Sequence, residues 1–134
     1  MARITDDDVA ALLKIGEDMR SAADAGDGRA LAIVDASLHE KLIQLSGNST
    51  LLRVWRSLEP MSRTYITLVG PNSDPQWTAG LHDPMLEAIR TRDTEAVVAA
   101  IESHFDEVRE RLAGHLADVA GQAQAAEPRA RATS

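Results

Sequence analysis

Apolar residues in this chain recur at intervals of three and four, and no alternating run of β-branched residues interrupts them. That is the period at which an α-helix presents one face. It confines the chain to all-α folds, and we expect an antiparallel bundle of about five to six helices. The 134 residues suffice for one core. Residues 1–120 are read as a single helical domain. Residues 121–134 turn to Ala, Gln, Pro, Arg, Ser and Thr, and are expected to form a disordered tail.

Punctuation between the apolar stripes divides the chain into five helical segments. The first runs from about Asp6 to Ala25, with Thr5 as N-cap, Asp8 completing a capping box, and Gly26 as terminator. Its stripe is Val9, Leu12, Leu13 and Ile15 or Met19. The second starts after Asp27 and ends at Ser46-Gly47, with Leu31, Val34, Leu38, Leu42 and Leu45 on one face. Asn48 or Ser49 opens the third, which reaches about Val69, and Pro60 predicts a kink or break within it. A loop over Gly70 to Pro75 precedes a fourth segment reaching about Arg92, with Pro84 near its middle or restarting it. Asp93 caps the fifth and longest, which ends near Ala120 with Val97, Ile101, His104, Val108 and Leu112 as its stripe.

Charge and cysteine content exclude several classes. The net charge of −7 leaves no basic face for a phosphate backbone, the sparse set Arg53, Arg56 and Arg63 being the longest basic feature. There is no cysteine, hence no disulfide, thiolate metal module or thiol nucleophile. Neither a secretory signal nor a membrane span is legible, so a cytoplasmic location is the expectation.

Four side chains carry metal-binding chemistry. Asp35 and His39 are four residues apart on one helix, which stacks them on a common face. His82 and His104 fall on the two following long segments, and His104 interrupts an apolar stripe. Folding a bundle brings such inward positions together. Taken singly, each has a plainer reading: a surface Asp–His pair, a helix-face histidine beside Asp83, a core histidine bonded to a carbonyl. Asp35 beside a buried stripe needs a compensating cation, a metal or an arginine. His115 lies eleven residues beyond His104 on a similar face, roughly 16 Å further along the helix. It is read as outside the site.

The stretch from Asp35 through Leu38-His39 to Ser46-Gly47-Asn48 resembles the signature of the FCD domain, the effector-binding domain of FadR-type GntR transcriptional regulators. His82 followed by Leu86-Glu87-Ala88-Ile89 and Arg92-Asp93 resembles the second part of that domain. His104 within Ile101-Glu102-Ser103-His104 resembles the third. The likeness covers about Thr5 to Leu112. It implies a bundle of six or seven helices in which one Asp and three His hold a divalent ion, zinc or nickel foremost, iron or manganese otherwise. It also implies a homodimer, a small organic-acid effector such as a citrate-like acid, and DNA contact only through a separate N-terminal winged helix-turn-helix, which this sequence lacks. The usual first helix of the domain is likewise not recognisable, and Leu38 stands where the family often has Phe.

Arg56 and Arg63 are candidates to clamp an effector carboxylate, their plainer reading being a solvated helix face. Ser62, Thr64 and Tyr65 are further polar candidates. The rival class is a stand-alone metalloenzyme, or a metal-binding helical protein acting on a small carboxylate, because an ion with open positions polarises carbonyls. No general base or nucleophile motif supports it, and a non-enzyme is expected. A metal-free acyl-CoA binder, as in another branch of the family, conflicts with the intact four-ligand set.

Overall fold

Side chains at the helix ends set most of the boundaries. The computed structural model describes residues 4–69 and 74–126, the side chains of 62–69 and 124–126 excepted. It contains helices α1 (Asp6–Asp24), α2 (Gly28–Leu45), α3 (Ser49–Val69), α4 (Pro75–Gly80), α5 (Asp83–Thr91) and α6 (Thr94–Ala126), and no strand among the described residues. Thr5 accepts from the Asp8 amide while Asp8 accepts from the Thr5 amide, the capping box expected from sequence. α1 ends in a Schellman turn: the Asp27 amide reaches the Ala22 carbonyl at 3.0 Å, and Gly26 takes the left-handed φ of 65° that the turn requires. Asp27 then caps α2 through Ala30 N, Asn48 caps α3 through Leu51 N, and Asp93 caps α6 through Ala96 N.

α3 continues as one α-helix through Pro60, so the proline does not break it. Of the two readings of Pro84 the restart holds: it stands in the first turn of a new helix, where a missing amide costs nothing, and the fourth segment is two helices. α6 extends beyond Ala120 to Ala126. The loop residues 70–73 and residues 127–134 of the tail lie outside the described residues.

Short connections fold α1 back on α2 and α2 back on α3, the antiparallel arrangement of a bundle. α1 also packs on α4 and α5, and α6 lies principally on α5. The core is built from Leu12, Met19, Ala22 and Ala23 of α1, Leu31 and Leu38 of α2, Ala79 of α4, and Met85, Leu86 and Ile89 of α5. Val34, Leu42 and Leu45 of the expected α2 stripe pack against it while staying partly exposed. No helix among the described residues is long and apolar enough to cross a membrane.

The turn between α5 and α6 is strained. Arg92 adopts a left-handed φ of 58°, a conformation costing a side chain with a Cβ about 1–2 kcal/mol. Its guanidinium donates to the Ile4 carbonyl at 2.8 Å and pairs with Asp6, so the strain is held by an attachment to the start of α1.

Helices α1 and α5 meet at a glycine. A Cβ at Gly16 would collide with Leu86 Cδ1, whereas one at Gly114 in α6 meets nothing within 4 Å. Gly16→Ala should therefore lose about 1 kcal/mol, an overpacking cost of ~1–3 kcal/mol exceeding the helix gain of ~0.5–1 kcal/mol. Gly114→Ala should gain about 0.5–1 kcal/mol. Urea denaturation of both variants tests this, and an equal gain in both would contradict the close approach of α1 to α5.

Candidate metal centre

Asp35 belongs to the buried stripe of α2 that also carries Leu31 and Leu38, so its carboxylate is folded into the interior with 4% of the residue exposed. One turn later the same face delivers His39. The junction between α4 and α5 supplies His82, which is the N-cap residue of α5 and not part of a long helix as the sequence suggested. α6 supplies His104, buried as its place in an apolar stripe implies. All four residues converge. Ring centroids lie 5.4 Å apart for His39–His82, 5.1 Å for His39–His104 and 4.7 Å for His82–His104. One ligand-capable atom from each of the three histidines lies within 4.8 Å of the others. Asp35 Oδ1 is 3.2 Å from His82 Nε2, and Oδ2 is 3.8 Å from His39 Nε2. His115 is not among them.

Hydrogen bonding orients one ring. His82 Nδ1 donates to the Thr78 carbonyl at 3.0 Å, one helical turn upstream. In the neutral ring this leaves the Nε2 lone pair facing Asp35 Oδ1 at 3.2 Å and His39 Nε2 at 3.4 Å. Electron pairs so close need a positive charge between them, either a shared proton or a common cation. A carbonyl bond at the far nitrogen is also the partner that metal-bound histidines commonly use. His104 Nδ1 is buried with no hydrogen-bond partner. The donor set and this unpaired nitrogen both fit a divalent ion.

The electrostatics keep the His39 and His104 imidazoles ready to donate lone pairs. Burial pushes the His104 pKa down to about 4, helped by the neighbouring His82 and His39 and opposed by Asp35. Burial lowers His39 as well, against the pull of Asp35. Burial alone would raise Asp35, but a proton shared with His82, and the charge that His39, His82 and His104 carry when protonated, outweigh it, and the carboxyl lies below its ordinary value.

The expected effector residues are placed differently. Arg56 is exposed, and its guanidinium donates to Glu40 Oε1 at 2.9 and 2.7 Å. The side chains of Arg63, Ser62, Thr64 and Tyr65 lie outside the described residues. Two neighbours of the centre escaped the sequence reading. Thr78 was findable, since it stands four residues before His82. Trp55, whose ring sits 5.4 Å from His39, depends on how α3 crosses α2 and left no local signal. Both tryptophans are half-buried within the chain, Trp55 against His39 and Trp77 beneath Arg111, so neither needs a second chain to cover it.

A family model described as FCD domain matches residues 1–107. A gluconate operon transcriptional repressor of Bacillus licheniformis is 24% identical over 113 residues, covering 80% of this chain and 46% of that protein. The repressor of the same name from Bacillus subtilis (strain 168) is 24% identical over 107 residues, covering 75% and 44%. The chain thus spans a little under half the length of these curated relatives. No solved structure matches.

The lowered histidine pKa values fix how the chelated protein responds to acid. The unfolded chain takes up protons near the ordinary value of 6.5, before folded His39 and His104 do. Stability is therefore complete above about pH 6.5 and falls as the pH drops toward 4, where folded His104 also protonates. Urea midpoints of EDTA-treated protein at about pH 7.5, 6 and 5 should decrease in that order. A midpoint that rises on acidification would contradict the buried, neutral state of these rings.

Proposed function

The chain belongs to the FCD-domain family, and from that premise we propose that it is the ligand-sensing part of a GntR-type transcriptional regulator. One divalent ion would be held by Asp35, His39, His82 and His104. The single observation that carries this reading is the mutual approach of Asp35, His39 and His82 lone pairs in a buried cluster that His104 completes. Three imidazoles and one carboxylate suit zinc or nickel, and iron or manganese next. Such an ion supplies an oxygen-seeking positive centre, since the ligand set carries only one negative charge. A small organic acid is the matching effector class. The relatives' names make gluconate a reasonable probe beside citrate and acetate.

A sensing role is favoured over catalysis. Glu40 and Asp83, the carboxylates adjacent in sequence to His39 and His82, are held by Arg56 and Arg20. DNA contact is assigned to a separate domain, because the chain's −7 charge opposes a phosphate backbone. Arg56 becomes an effector clamp only by leaving Glu40. Self-association has apolar surface available: Leu51, Val54, Leu58 and Met61 form one exposed stripe on α3, and Val98, Phe105, Leu116 and Val119 are exposed on α6. A homodimer through such faces predicts a sedimentation mass that falls toward the monomer on dilution. A mass independent of concentration at the monomer value would remove the dimer from this reading.

Elemental analysis of untagged protein tests the centre. One ion per chain is expected. His104→Ala should weaken metal binding by more than about 100-fold, beyond what loss of a supporting hydrogen bond costs. His115→Ala should leave it unchanged. Metal should also raise the melting temperature, as a ligand of the folded state does. Equal affinity in the two variants would overturn the assignment.

A further inference from the structure

The indole of Trp55 is an unexplained donor beside the histidine cluster. Its Nε1–H is buried and has no hydrogen-bond partner, although its ring lies 5.4 Å from that of His39 and tilted at 44° to it. Burying an indole N–H without an acceptor costs about 1–3 kcal/mol, and native structures rarely retain such groups without a use. Packing alone does not account for it, because a phenylalanine would fill the same place at no such cost. Among the described residues the other buried side-chain atom without a partner is His104 Nδ1, and the His104 ring also borders His39, at 5.1 Å. Both unpaired groups therefore flank one imidazole. Among the described residues the carboxylates next to the histidines in sequence are engaged, Glu40 with Arg56 and Asp83 with Arg20, and Asp35 faces His82 and His39. No acceptor among the described residues reaches Trp55 Nε1.

We infer that Trp55 is an effector-contacting residue whose indole N–H donates to an oxygen of a small carboxylate bound beside His39. The inference rests on the organic-acid reading of the preceding section and assigns a residue to it. An indole suits the task. It is a donor only, so it accepts an oxyanion and rejects an ammonium group at the same place. Its Nε1 is itself buried, which strengthens a charge-assisted hydrogen bond there.

The test uses the full chain labelled with 15N at its two tryptophans, Trp55 and Trp77. Trp55→Phe assigns the indole resonances and keeps the aromatic packing. Acetate, gluconate and citrate are titrated into the millimolar range against metal-loaded and chelated protein, with bound metal measured in parallel. The Trp55 indole proton should move downfield with at least one of the three, while that of Trp77, beneath Arg111, stays in place. By calorimetry Trp55→Phe should bind that carboxylate about ten-fold more weakly, as expected for a lost hydrogen bond to a charged group. Its metal affinity should stay within about two-fold of the parent. A still Trp55 resonance with all three carboxylates in protein carrying one ion per chain overturns the inference and leaves the metal reading intact. Equal losses of metal and carboxylate affinity in Trp55→Phe make the residue a packing support for His39, which also overturns it. Wild-type protein that takes up no metal overturns the underlying reading, and the inference with it.

Discussion

Everything in this bundle is arranged around a carboxylate that cannot stand alone. Asp35 is buried among apolar side chains, where an isolated negative charge costs several kcal/mol even after relaxation. The fold answers by bringing three imidazoles to it from separate places: one turn along α2, the α4–α5 junction, and α6. Each of those places is fixed independently of the cluster. Pro84 restarts the helix so that His82 falls at an N-cap, the Thr78 carbonyl sets its ring, and Asp93 starts α6 so that His104 comes three turns along the helix. The site is thus assembled by backbone punctuation as much as by packing.

The apolar core is correspondingly modest. Its fully buried side chains are Leu and Met, with alanines filling the closest contacts, and aromatic residues are 3% of the chain. Helices approach each other closely, as at Gly16 against Leu86, so cohesion comes from proximity and not from large side chains. Polar ties add to this at the periphery, with Lys41 to Asp8 joining α1 and α2 at 2.8 Å and Arg92 joining the α5–α6 turn to the start of α1. Such exposed pairs contribute about 1 kcal/mol or less each. A site that links α2, the α4–α5 junction and α6 therefore matters more to this fold than it would in one with a deep aromatic core.

Much of this was legible before the structure. Helical class, the capping box at Thr5, the Gly26 terminator and the Asp27 and Asp93 caps are local, and local signals survive folding. The convergence of Asp35, His39, His82 and His104 was legible because an i, i+4 pair and an apolar stripe each fix a direction. What the sequence left open was of two kinds. Proline alone did not decide between a kink and a break at Pro60, where the helix is not broken, or between a mid-helix place and a restart at Pro84, where the helix restarts. Neither case is decided by the residue itself. The second kind is lateral: that Trp55 meets His39, or that Arg56 spends its charge on Glu40, depends on the crossing of α2 and α3, which no periodicity encodes.

The same geometry bears on how a small ligand could be felt at a distance. A ligand shifts a conformational equilibrium only through a difference in its affinity for the two states. α6 is the element best placed to have two. It is 33 residues long, about 50 Å at helical rise, and far outreaches the short helix α5 on which it principally lies. Its attachments are few and well defined: the packing of Val97, Ala100 and Ile101 against the core, Arg111 over the Trp77 ring at 4.0 Å, and His104 in the cluster. Of these only His104 belongs to the candidate centre, and its Nδ1 is buried without a hydrogen-bond partner. On the proposed function, an ion in the cluster would bear on α6 through His104, while the Arg92 turn at the foot of α6 stays tied to the start of α1.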